Sequence, residues 1–413
     1  MNSENPSQNV AVIGQGYVGL PLALTLAQRG FKVIGIDVST DVVNNLNRGV
    51  SHVEDVSEGS LNEALNSGRY YSSTDFSRIA GVSTCVICVP TPLGPDREPD
   101  ISYIESALRF MAPHLNSDVL IINESTSFPG TLNELVIPTL RKLLGDFVDQ
   151  LLFASAPERI DPGNKIWNFS STPRVVSGIT PEATARALDF YRTICSDVSA
   201  VSKPEVAELS KLLENTFRQV NIALINQMVP VAHALGIDMR EVIEAAGTKP
   251  YGFMKFYPGA GVGGHCIPID PLYLLWKAGR LGIDLPFIRS ADSVNRSMPE
   301  YVSKRAIELS NLGKDDTILL LGVAYKSGVA DTRETPAKEL ATSLSKFGVK
   351  VFWFDPLVKH FPFAEKWHGK LDVDCSIIVT AQEGLPVSEL AQARIPVLDC
   401  TGYYRDIEGV THL

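Results

Sequence analysis

Cysteine is scarce: the chain of 413 residues holds six, at 85, 88, 195, 266, 375 and 400. That is too few for a disulfide scaffold. Cys85 and Cys88 spell C-x-x-C, but they sit in the apolar run Val82–Val89, which reads as a buried strand. Positions three apart on a strand point to opposite faces, so the two sulfurs are not expected to meet. No second C-x-x-C or neighbouring His completes a metal site, and no metal is expected. Long apolar runs are missing as well, none approaching the roughly 18 residues that cross a bilayer. The polar start, MNSENPSQN, has no basic and apolar leader pattern, so a cytoplasmic location without a membrane partner is expected. Basic runs are absent and the formal net charge is −10, which argues against nucleic acid as a partner but leaves room for a local phosphate pocket.

What is present is a soluble globular balance, 45% hydrophobic and 20% charged, over a length that calls for two or three domains. In the first third, strand-like runs at Val10–Ile13, Lys32–Ile36, Cys85–Val89, Val119–Ile122 and Leu151–Ala154 alternate with helical segments such as Leu20–Gln28. That alternation predicts a parallel sheet with helices on both faces. The design recurs near the C-terminus. Gly30 to Asp37 (GFKVIGID) is matched by Gly348 to Asp355 (GVKVFWFD), each strand closing on an aspartate. Thr317–Gly322, Pro336–Phe347, Cys375–Thr380 and Pro396–Leu398 complete a second β-α-β set. Between the two lies a helix from Pro204 to about Leu235, well beyond the roughly 11-residue average. The expected fold is α/β, with two Rossmann-like doubly wound domains joined by this long central helix and a helical middle domain. The expected bounds are 1–200, 201–310 and 311–413, the middle layer serving as a homodimer surface.

Gly14, Gly16 and Gly19 form G-x-G-x-x-G between a strand and a helix, and Asp37 ends the next strand 18 residues after Gly19. This context predicts a dinucleotide site at Gly14, Gly16, Tyr17, Val18 and Gly19, with the pyrophosphate at the helix N-terminus. Asp37 is expected to accept from the ribose hydroxyls and to repel a 2′-phosphate, so NAD rather than NADP is the expected cofactor. The second Rossmann-like unit reads GVAYK at 322–326, without the glycine triplet, and suits the nucleotide of a substrate instead.

Residues 258–271 read PGAGVGGHCIPIDP, four glycines ahead of Cys266 and Asp270 four residues beyond it. Glycines let backbone approach a ligand closely. A thiolate adds to an aldehyde, and oxidation of the thiohemiacetal gives a thioester that water opens. With an NAD site, that is a route from aldehyde to acid. On the long helix, Lys211, Asn215 and Arg218 are spaced within about 60° of one another. Lys211 suits an alkoxide, and Asn215 a water or hydroxyl.

Together these residues resemble the UDP-glucose/GDP-mannose dehydrogenase family over nearly the whole chain. The resemblance also rests on Thr91 in VPTP, Ser125-Thr126, Pro157-Glu158, and Tyr325-Lys326 followed by Asp331 and Arg333. It implies an NAD-dependent enzyme that oxidises the C6 alcohol of a nucleotide-linked hexose twice, to a carboxylate. It implies Cys266 as nucleophile, Lys211, Asn215 and Asp270 as handlers of alkoxide, water and proton, Glu158 in thioester hydrolysis and Thr126 positioning water. Thr91, Thr126 and Arg333 are implied cofactor contacts. Arg159, Arg218, Tyr257, Gly263 and Lys326 join Glu158, Lys211 and Asn215 as implied substrate contacts. Pro157 to Gly163 (PERIDPG) and Thr248 to Met254 (TKPYGFM) are similar to the branch acting on UDP-N-acetylhexosamines. UDP-GlcNAc is the expected substrate, with UDP-glucose as the alternative. A two-electron β-hydroxyacid dehydrogenase would not need Cys266, and an inactive NAD-binding regulator would not need the reactive groups.

Overall fold

The computed structural model describes residues 9–161, 164 and 166–413; of the PERIDPG segment, Pro162 and Gly163 lie outside the described residues. The chain divides into two compact units, residues 1–214 with 272–281, and residues 215–271 with 282–413.

The first unit is built on eight strands: β1 (Asn9–Ile13), β2 (Lys32–Ile36), β3 (Tyr70–Ser73), β4 (Thr84–Ile87), β5 (Leu120–Asn123), β6 (Leu152–Ser155), β7 (Arg174–Gly178) and β8 (Val198–Ala200). Their order is β3-β2-β1-β4-β5-β6-β7-β8. All neighbours are parallel except β6 with β7. The first six strands thus have the doubly wound dinucleotide-binding order, with its crevice where β1 and β4 part. Strands covered on both faces are apolar throughout rather than alternating. Val10, Ala11 and Val12 are accordingly 0% exposed, each valine contributing about 2 kcal/mol by burial. Cys85 and Cys88 lie in and just beyond β4, both buried and unbridged, and burial pushes the Cys85 thiol up to about 12.

The second unit carries β9 (Thr317–Leu321), β10 (Lys350–Phe354), β11 (Glu365–Lys366), β12 (Cys375–Ile378), β13 (Val397–Asp399) and β14 (Val410–His412). The order is β11-β10-β9-β12-β13-β14, all parallel, which repeats the pattern of the first six strands. Helices Met239–Ala246 and Pro286–Ser310 belong to this unit, the latter ending on Asn311 in the left-handed conformation, φ 49°.

The helix Pro204–Leu235 runs through the division between the units. It starts on a proline, whose missing N–H costs nothing at that position, and continues through Pro230. Pro230 leaves the Asn226 carbonyl without its usual donor. Along one side Val206, Leu209, Leu213, Phe217, Leu224, Met228, Val231 and Leu235 recur at three-, four- and, once, seven-residue spacing, each more than two-fifths exposed. No single helix among the described residues is long and apolar enough to cross a membrane.

Candidate active site

The expected residues fall into two groups, one in each unit. In the first unit the turn after β1 shows why its glycines are required. Gly14 has φ +92°, and a Cβ there would lie 2.5 Å from the Cys88 carbonyl oxygen. A Cβ on Gly19 would lie 1.9 Å from the Gly14 carbonyl oxygen, so helix and turn touch only because both residues are glycine. Gly16 has open space where its Cβ would be, which suits a pyrophosphate brought against backbone. Tyr17 and Val18 are half-buried beside it. Asp37 Oδ2 accepts from the Gln15 backbone N–H at 2.9 Å, and Oδ1 from that of Ser39 at 2.9 Å. A carboxylate has about four acceptor positions, so two remain for ribose hydroxyls. Gln15, a variable position in the motif, braces the turn: its amide donates to the Val12 and Gly14 carbonyls and accepts from Tyr70 Oη at 2.9 Å. These features fit a bound NAD.

Glu158, 8% exposed, follows β6. Burial raises its carboxyl to about 7, against the opposing pull of Lys211 and Arg174. Its Oε1 accepts from the Ile160 backbone N–H. Arg159 turns away from it, placing Nε and Nη2 on the two oxygens of Glu214 at 3.2 and 2.6 Å and Nη1 on the Pro173 carbonyl at 3.0 Å. The pair ties the Glu158 segment to the long helix, where Lys211 is buried three residues before Glu214. Thr126 is half-buried in the loop after β5, and Thr91 offers its carbonyl to Tyr273 Oη at 3.1 Å. One turn before Lys211, buried Glu208 accepts from the Gly130 backbone N–H at 2.7 Å, fastening the end of the Thr126 loop. Burial lifts the Glu208 carboxyl to about 7, and backbone amides led by Gly130 hold it from rising further.

In the second unit, Asn215 is buried and its amide donates to Asp270 Oδ2 at 2.5 Å. Asp270 begins the helix Asp270–Arg280, and its N–H returns to the Cys266 carbonyl at 2.9 Å. The Cys266 turn is thereby fixed to the Asn215–Asp270 pair, with Cys266 itself half-buried. The glycines ahead of it are packed tightly. A Cβ on Gly263 would lie 2.9 Å from Pro336 and 3.0 Å from the Glu334 carbonyl oxygen, and Gly264 donates to that carbonyl at 3.1 Å. His265 Nε2 points away to Asp331 Oδ2 at 3.1 Å, and Arg333 Nη2 reaches the same oxygen at 2.7 Å. Burial alone would push the Asp331 carboxyl up, but these hydrogen bonds outweigh it and hold it well below the usual carboxylate range. Lys326 is half-buried, Arg218 and Arg333 are exposed, and Tyr257 donates to Glu244 at 2.7 Å beneath the Arg240 guanidinium.

The chemistry available is therefore a dinucleotide turn, a buried carboxyl near neutrality beside a lysine, and a cysteine loop anchored on an asparagine–aspartate pair. Sequence reading missed Gln15, Glu208 and the buried Glu124–Arg174 pair beside Glu158; their one signal was a polar residue within or beside an apolar run.

Comparison with known proteins gives the family. Residues 8–195 match the NAD binding domain of the UDP-glucose/GDP-mannose dehydrogenase family, 205–297 its central domain and 319–396 its UDP binding domain. The chain is 37% identical over 358 residues to UDP-N-acetyl-D-mannosamine dehydrogenase of Pyrococcus horikoshii, covering 85% of this chain and 84% of that one. It is 34% identical over 355 residues to UDP-N-acetyl-D-glucosamine 6-dehydrogenase of Pseudomonas aeruginosa, covering 84% and 83%. The structure of a UDP-glucose dehydrogenase from Pyrobaculum islandicum superposes with a TM-score of 0.88 at 27% identity, over 100% of this chain and 98% of that one. The chain belongs to the UDP-glucose/GDP-mannose dehydrogenase family and is an NAD-dependent nucleotide-sugar dehydrogenase.

Proposed function

We propose that this chain is a UDP-N-acetylhexosamine 6-dehydrogenase, taking the C6 alcohol to a carboxylate in two two-electron steps through Cys266. The observation that carries the reading is Glu158, a buried carboxyl held near neutrality beside Lys211, in a chain related to dehydrogenases of UDP-N-acetylated sugars. The sugars named for those two relatives are epimers at C2, which the Pro157-Glu158-Arg159 motif does not separate; UDP-GlcNAc heads the panel below.

In this reading Lys211 stabilises the developing alkoxide at O6, and Asn215 with Asp270 orients the hydroxyl and takes its proton. NAD held at the Gly14–Gly19 turn would accept one hydride in each oxidation, a second NAD replacing the first NADH between them. The Cys266 thiolate adds to the aldehyde, and loss of the second hydride leaves a thioester. Thr126 positions water and Glu158 takes its proton as it attacks the thioester; the C–S bond breaks and the sulfur leaves as thiolate. Arg159, Arg218, Tyr257, Gly263 and Lys326 contact substrate, and Thr91, Tyr17, Val18 and Arg333 contact the cofactor. We assign these roles to three domains, 1–200, 201–310 and 311–413. A second copy covers the exposed apolar stripe of the long helix in a cytoplasmic homodimer.

The test is a panel of UDP-, TDP- and GDP-sugars scored by NADH released per sugar consumed. Two NADH from a UDP-N-acetylhexosamine is the expected result. A preference for UDP-glucose would move the substrate, one NADH per sugar would remove the thioester, and no NADH from any sugar would leave a protein that only binds.

A further inference from the structure

Next to Glu158 the core of the first unit holds an ion pair that the reaction above does not use. Glu124 follows β5 and Arg174 opens β7; Arg174 Nη1 lies 2.9 Å from Glu124 Oε1, with side chains 4% and 0% exposed. Tyr191, on the helix Pro181–Arg192, donates its hydroxyl to Glu124 Oε1, and the Cys88 thiol donates to Oε2 at 3.9 Å. The rings of Phe169 and Tyr191 flank the guanidinium at 4.6 and 4.8 Å. Both partners also hold the backbone that leads to Glu158. Arg174 Nη1 donates to the Ala156 carbonyl at 3.4 Å, and the Glu158 N–H donates to the Glu124 carbonyl at 3.3 Å.

A buried ion pair is a poor source of stability, since apolar residues of the same volume serve as well. Its place in this core is better explained by what it does to its neighbour. The groups acting electrostatically on Glu158 are Lys211 from the long helix, Arg174 from β7 and Glu124 from the end of β5, while Glu158 in turn acts on Cys88 beyond β4. Tyr191 and Cys195 face Arg174. Burial, then Glu124, pushes the Cys88 thiol and Tyr191 phenol well up, and burial raises the Cys195 thiol, so these three stay neutral near pH 7. Three charges therefore act on Glu158: Lys211 and Arg174 favour its ionised form and Glu124 opposes it.

We propose that the Glu124–Arg174 pair is a positioning element for Glu158, fixing the Ala156–Glu158 backbone and presenting two opposed charges to the Glu158 carboxyl. The inference rests on the reading of Glu158 as the group that takes the proton of the hydrolytic water. It has a signature that simple loosening of the fold does not produce. Removing the Arg174 charge leaves Glu124 opposed by Lys211 alone and moves the Glu158 titration to higher pH. Removing the Glu124 charge moves it to lower pH, each by about one unit.

The experiment follows decay of the acyl adduct on Cys266 in single turnover with NAD and the active UDP-sugar, by rapid quench and intact mass, from pH 5 to 9. In the unmodified enzyme the rate falls on the acid side near pH 7. The acid limb is expected to move down in Glu124→Gln, up in Arg174→Met, and back toward its original place in Arg174→Lys. Because loss of one buried partner threatens folding, the uncharged double variant E124Q/R174M is the second arm. Its decay rate at pH 9 is expected to be at least tenfold below the unmodified plateau. Single variants that move the limb in the same direction or not at all, or a double variant with the full plateau rate, overturn the proposal. Undiminished decay in Glu158→Gln instead removes the reading of Glu158 on which it rests.

Discussion

The Asn215 amide and the Asp270 carboxylate meet at 2.5 Å, joining the long helix to the residue that begins the helix after Cys266. Because Asp270 also closes the Cys266 turn through its backbone, the pair carries position as well as charge. Asp270→Asn retains a hydrogen-bonding amide yet removes the proton acceptor. A fall in kcat of about 10²–10³-fold with little change in KM is expected. Steady-state NADH production measures it; an unchanged kcat would assign the pair to structure alone.

Cys266→Ser should bind substrate and lose about 10³-fold in turnover, roughly 4 kcal/mol of barrier. A hydroxyl is a weak nucleophile at neutral pH, and its ester has the poorer leaving group. Glu158→Gln should instead accumulate the sugar-nucleotide acyl adduct on Cys266, visible as added mass in the intact protein. Two NADH per sugar at full rate from Cys266→Ala would exclude covalent catalysis.

Much of this was legible in the sequence, and the residues explain which part. The run from Pro204 to Leu235 reads as one helix, and β2 is bounded as expected at Lys32–Ile36, because each has an unbroken period. Gly14 and Gly19 are legible because only glycine tolerates what surrounds them, and Gly16 because it completes their spacing. Glu124 and Arg174 are not: each is one polar residue beside an apolar run, and its partner is distant in the chain. Arg159 illustrates the same limit. Its guanidinium is engaged by Glu214, 55 residues away, a pairing that no local motif reveals.

Asp37 has two acceptor positions left after Gln15 and Ser39, and in the proposed reading they serve the ribose, so NAD should exceed NADP in kcat/KM. Asp37→Ser should narrow that gap by about tenfold, roughly 1.4 kcal/mol. It should also weaken NAD itself, since the Gln15 N–H loses its acceptor. Equal use of both cofactors by the unmodified enzyme would contradict the assignment.

Glu208 links stability to pH. Its carboxyl titrates at about 7 when folded against an ordinary 4.5, so the folded state holds the proton more tightly. The sign is therefore a loss of stability as pH rises from 4.5 through 7. Between pH 5.5 and 8 the loss is about 2 kcal/mol by linkage. Glu208→Gln does not titrate, and its melting temperature relative to the unmodified protein should be higher at pH 8 than at pH 5.5. A difference independent of pH would refute it.

The apolar stripe of the long helix predicts association. Leu213 is 61% exposed and Leu224 56%. Sedimentation at micromolar concentration should give twice the chain mass, falling to the single mass in L213E/L224E. An unmodified protein that sediments as a fully active monomer would rule the second copy out.

Asp355 gives the C-terminal sheet a direction in evolution. It occupies the place in its sheet that Asp37 holds in the other, yet it accepts from the N–H groups of Val323, Ala324, Leu357 and Val358. Four amides fill the roughly four acceptor positions of a carboxylate. Restoring glycines to the 322–326 turn would reopen room for a pyrophosphate and still leave no acceptor for a ribose. Two changes would have to arrive together, neither of use without the other. Units alike in strand order are thus suited to different ligands, and a dinucleotide site would not arise in the second by single steps.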